Sequence, residues 1–142
     1  MDAINEAKKL FNETWDLLDK KDRTDEDNIT MLHKAHTSCF LWQSANNPTN
    51  NARGEWQVAR VYSVVGFGEA ALLHAMRSLE ICKTNDIGGF DLAFGYEAVA
   101  RAYAVCGNGD KCKEYKELAA KACDGIEKAD DKAYALSEIN GI

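Results

Sequence analysis

The sequence predicts an all-α fold, an array of antiparallel helical hairpins with about seven helices, from three observations. A single proline stands among 142 residues, so few positions are closed to helix. Apolar residues recur at steps of three and four, the period of a helix with one buried face. The eight residues ARVYSVVG at 59–66 return as ARAYAVCG at 100–107, keeping Ala, Arg, Tyr, Val and Gly at an offset of 41.

Ile4, Ala7, Leu10, Phe11, Trp15 and Leu18 share one helical face and predict a first helix over about 2–20. Thr24 followed by Asp27 resembles a capping box, and a second helix is expected from there to about 45, with Ile29, Leu32, Ala35, Cys39 and Trp42 inward. NNPTNN at 46–51 has the composition of a turn. Helices are then expected over about 51–65, from the Gly66–Gly68 connection to about 84, over about 90–106, over about 110–126 and near 130–139. Frequent alanines in the later helices favour helix and permit close approach. No segment reads as a strand or a linker, so residues 1–142 read as a single helical domain, its clearest repeats at 52–85 and 93–126.

Seventeen basic against twenty-three acidic residues give a formal charge of -6, which argues against a duplex nucleic-acid binder. No basic segment leads into a short apolar run and no stretch is long and apolar enough to span a bilayer. The expected location is the cytoplasm, with no membrane partner. Five cysteines at wide spacings, without a CxxC pair, read as reduced and mostly buried small residues. GxGxxG, GxxxxGK[ST] and GxSxG are absent, and no cofactor or catalytic residue is expected.

Ala59, Tyr62, Gly66, Ala71, Ala75 and Ser78 keep the spacing of the tetratricopeptide repeat, which residues 52–120 resemble. Ala100, Tyr103, Gly107 and Ala119 fit in the second copy, whereas Cys112 and Lys116 depart from the pattern. The chain is also similar to small uncharacterised bacterial proteins with RGEW, ARVY and FDLAF type segments, a resemblance that implies no activity.

The tetratricopeptide resemblance implies that the first helix of each hairpin lines a concave groove in which peptides sit. It places Arg53, Trp56, Arg60 and Ser63 on that side in one copy, and Phe94, Glu97, Arg101 and Ala104 in the next. Arg53, Trp56, Arg60, Glu97 and Arg101 are the candidate ligand-binding residues of a helical-repeat binding module that recognises a peptide or a small anionic ligand. A guanidinium suits such a ligand because it can hold a carboxylate or phosphate through two parallel hydrogen bonds. The alternative for Arg60 and Arg101 is an internal ion pair with Glu55, Glu97 or Asp91.

The expected partner is a protein or peptide, or a second copy of the chain joined as a homodimer through an apolar end that no polar helix caps. A different reading takes His33 and His36, at i,i+3, together with His74 as ligands in a small metal-dependent enzyme. Cys39, one turn beyond His36, is the remaining candidate nucleophile.

Overall fold

The computed structural model describes residues 2–142 and contains, among them, seven α-helices. They are α1 (Ala3–Asp19), α2 (Asp25–Trp42), α3 (Pro48–Val65), α4 (Gly68–Thr84), α5 (Gly89–Val105), α6 (Gly109–Ala122) and α7 (Ala129–Asn140). Short 3-10 turns, Gln43–Ala45 and Cys123–Gly125, follow α2 and α6. The described residues include no strand.

The helix ends follow from local chemistry. At the start of α2, the Asp27 N–H donates to Thr24 Oγ1 and the Thr24 N–H to Asp27 Oδ2, both at 3.0 Å, which completes the capping box. Asn47 Oδ1 accepts from the Thr49 and Asn50 N–H groups, and Pro48 opens α3, where its missing N–H would have no helical partner anyway. The turn expected over 46–51 is therefore shorter, and helix begins at its proline.

α3 and α5 end alike. Gly66 and Gly107 take φ of 91° and 77°, and the next N–H groups, of Phe67 and Asn108, each donate at 2.9 Å to the carbonyls of Tyr62 and Tyr103. This closure requires a left-handed residue, which accounts for the glycine that ends both copies of the octapeptide.

Helices pair as hairpins α1/α2, α3/α4 and α5/α6. α1, α3, α5 and α7 form one layer in which each approaches the next, while the backbones of α2, α4 and α6 stay apart from one another. We call this closer-spaced layer the inner one. A buried contact recurs within the hairpins: Ser38 Oγ donates to the Ala7 carbonyl and Ser78 Oγ to the Ala52 carbonyl, each at 2.8 Å. In the third hairpin the positions 41 residues on are Ala93 and Ala119, both buried and without a hydroxyl. Thr14, Ala59 and Ala100 keep a further inner position small and buried.

Between hairpins the spacing is set by glycine. A Cβ on Gly54 would lie 3.2 Å from Cys39 Cα, and one on Gly95 would lie 3.3 Å from Leu79 Cα. α2 thus meets α3 as α4 meets α5. In α2 the inward face differs from expectation in one place: Ile29 is 56% exposed, while Met31 is fully buried.

α7 lies on α5 and α6, with Ala135 and Ile139 packed among Ala93, Phe94, Ala119 and Cys123. This helix covers the C-terminal end of the stack.

Candidate functional site

The Ala7–Ala52–Ala93 alignment puts Phe11 and Trp15 of α1, Trp56 and Arg60 of α3, and Glu97 and Arg101 of α5 at equivalent places on the inner layer. The stripe runs from two aromatics, through an aromatic and an arginine, to an ion pair. Two zones result, with different chemistry.

The ionic zone centres on Glu97, whose side chain is 0% exposed. Arg101 Nε donates to Glu97 Oε1 at 2.6 Å, Arg60 Nη2 to the same oxygen at 3.3 Å, and Trp56 Nε1 to Oε2 at 3.2 Å. Glu138 of α7 completes the balance: its Oε1 lies 3.7 Å from Arg60 Nη2, and its carbonyl accepts from Arg101 Nη2 at 3.3 Å. Two guanidinium groups thus face two carboxylates, the internal ion-pair arrangement, with the side chains of Arg60 and Arg101 only 11% and 21% exposed. Arg101 also borders a separate open groove of 320 Å³ with Ser63 and Ala104.

The aromatic zone is a cleft of 410 Å³ lined from α1, α3, α4, α5 and α7. Phe11, Trp15, Trp56, Phe90, Phe94 and Tyr134 line it, and the other lining residues are Ala52, Arg53, Ser78 and Asp91. The rings form a continuous series: Trp15 to Trp56 and Trp56 to Phe94 at 5.5 Å between centroids, and Phe94 to Tyr134 at 5.8 Å. Arg53 holds Asp91 with two hydrogen bonds, Nε to Oδ1 at 2.8 Å and Nη2 to Oδ2 at 3.1 Å. The guanidinium carbon of Arg60 stands 5.5 Å from the centre of the Trp56 ring. Tyr134 donates to Glu138 Oε1 at 3.1 Å; burial first, then the charge of Glu138 and that bond, raises its phenol above the ordinary value.

Of the five groove candidates, Arg53 and Trp56 line this cleft, while Arg60, Glu97 and Arg101 form the ionic zone beside it. Sequence reasoning missed Phe11, Trp15 and Tyr134 because α1 and α7 lie outside the 41-residue repeat. The shared small residues Ala7 and Thr14 were the available signal for α1.

The histidines take another course. His36 Nε2 is 2.8 Å from the Tyr62 hydroxyl, the His36 and His74 rings are 5.4 Å apart, and His74 Nδ1 is 3.3 Å from Glu55 Oε2. His33 is exposed and joins none of these contacts. Among the described residues no three His, Cys, Asp or Glu side chains are arranged to hold a metal ion. Burial, then the neighbouring His74, lowers the His36 pKa. Burial alone would raise Glu55, but the His74 hydrogen bond and charge, aided by Cys39 and Arg77, hold it below its usual value.

Cys39 donates to Glu55 Oε1 at 3.4 Å, and its thiol is pushed up to about 12 by burial and by that carboxylate. A thiol so far from ionising at neutral pH is a poor nucleophile. All five cysteines are free. No helix among the described residues is long and apolar enough to cross a membrane.

No protein-family profile, curated protein or solved structure matches the chain.

Proposed function

We propose that the protein is a helical-repeat binding module, of the tetratricopeptide type, whose inner aromatic cleft receives a side chain of a peptide partner. The observation that carries this reading is the 410 Å³ cleft itself, to which five helices contribute and in which six aromatic side chains gather. Aromatic rings offer large, stiff contact area, and such side chains dominate the energetics of protein recognition. The cleft lies on the side where the resemblance places a ligand.

The ionic zone supports a different role for Arg60 and Arg101. Their charges are balanced by Glu97 and Glu138, so a small anion would have to displace a carboxylate from a buried pair. They orient Trp56 and hold α7, and the peptide-binding surface is the cleft beside them.

Panning a displayed library of random heptapeptides on the immobilised protein, with counter-selection on Trp15→Ala, tests the reading. Peptides should be enriched on the parent protein and lost from the variant. Absence of enrichment, or equal retention by a Trp15→Ala protein of unchanged helicity, contradicts it.

A further inference from the structure

We infer that the group the cleft receives is a quaternary ammonium, a cation whose charge is spread over methyl groups, and this inference rests on the binding reading above. The lining contains six aromatic side chains, and its only aliphatic side chain is Ala52. A cleft selective for a neutral aliphatic group has no need of rings in place of leucine or valine. Ring faces carry negative potential, and a cation over them is attracted by it. One ring of this series already has such a partner, Arg60 over Trp56. The chain as a whole carries a formal charge of -6, which favours the approach of a cation.

The hydrogen-bonding inventory selects the kind of cation. Both oxygens of Asp91 already accept from Arg53, and the other side-chain acceptors of the lining are two neutral hydroxyl oxygens, that of the buried Ser78 and that of Tyr134. The indole N–H of Trp56 is directed to Glu97, and an indole offers no acceptor. A primary ammonium would bring three N–H donors into a cleft whose carboxylate is already paired and whose other side-chain acceptors are two neutral hydroxyl oxygens, and each donor left without a partner is costly. A quaternary ammonium has no N–H to satisfy. Arg53 does not oppose it, since Asp91 neutralises that guanidinium at close range.

A trimethylated lysine of a protein and a free choline-type molecule share this chemistry. Calorimetric titration of the full chain with four probes tests the inference: choline, N-acetyl-trimethyllysine amide, N-acetyl-lysine amide, and 3,3-dimethylbutan-1-ol, the neutral carbon counterpart of choline. Both methylated cations should bind, with the neutral counterpart and the unmethylated lysine about tenfold or more weaker. Tighter binding of the trimethyllysine probe assigns the ligand to a modified protein, and tighter binding of choline assigns it to a small molecule. Tyr134→Leu, at an exposed position, should weaken the cations while leaving helicity unchanged. Equal binding of the neutral counterpart overturns the inference, as does failure of both methylated cations to bind. If panned peptides still require Trp15 in that case, the binding reading stands and the cation assignment alone falls.

Discussion

Glu97 is a carboxylate fully removed from water and held by donors on Trp56, Arg60 and Arg101. Such a group is tolerated only because the opposite charges and N–H donors converge on it, and its removal leaves two guanidinium groups poorly compensated. Glu97→Ala should therefore lower unfolding stability by about 3 kcal/mol in urea titration, whereas a loss below about 1 kcal/mol would show the pair to be dispensable. The histidine cluster predicts acid sensitivity. His36 has a lowered pKa in the fold, so the unfolded chain binds its proton first as pH falls below the ordinary value of 6.5, and stability declines from there through the lowered folded value. Glu55 is also lowered, and its contribution is lost as pH falls from the usual 4.5 through its folded value. Thermal melts from pH 7.5 to 5 should show a falling midpoint that flattens in His36→Gln; an equal slope in both proteins would remove His36 as the cause.

At the scale of the helix, packing distance is set by absent side chains. Gly54 presses on Cys39 and Gly95 on Leu79, in each case with backbone as well as side chain in the way of a Cβ. Gly54→Ala should thus cost about 1–3 kcal/mol by forcing α2 and α3 apart, despite alanine's better helix propensity. Gly109→Ala, at the open start of α6 where nothing lies within 4 Å of the added carbon, should be neutral or slightly stabilising. Chemical denaturation of the two variants checks the contrast, and similar losses in both would contradict it. The helices themselves were legible in the sequence, since the period of apolar residues, the Thr24–Asp27 cap and the two terminal glycines are local signals. Pro48 was read as a turn residue because composition does not distinguish a turn centre from the first helical position. Ile29 was misplaced inward because the buried face of α2, which takes Met31 instead, is fixed by what α1 and α3 present to it.

For the molecule as a whole, three hairpins and a final helix make one inner surface that is ionic at one end and aromatic at the other. The offset of 41 pointed to Trp56 and the arginines, but the cleft becomes a site only when α1 supplies Phe11 and Trp15 and α7 supplies Tyr134. Those contributions come from long-range packing, which a repeat confined to α3–α6 does not encode. The arginines illustrate the same limit: their spacing gave a shared stripe, and the fold supplied the acids that occupy them. The account rests on ligand entering the aromatic cleft, and the three tryptophans report on it directly. Trp15 and Trp56 line the cleft, whereas Trp42 is buried at the end of α2 and is not among the lining residues. In a nitrogen–proton correlation spectrum, a peptide enriched by panning should shift the indole signals of Trp15 and Trp56 and leave that of Trp42 in place. Unmoved signals from Trp15 and Trp56 with peptide bound would contradict the account.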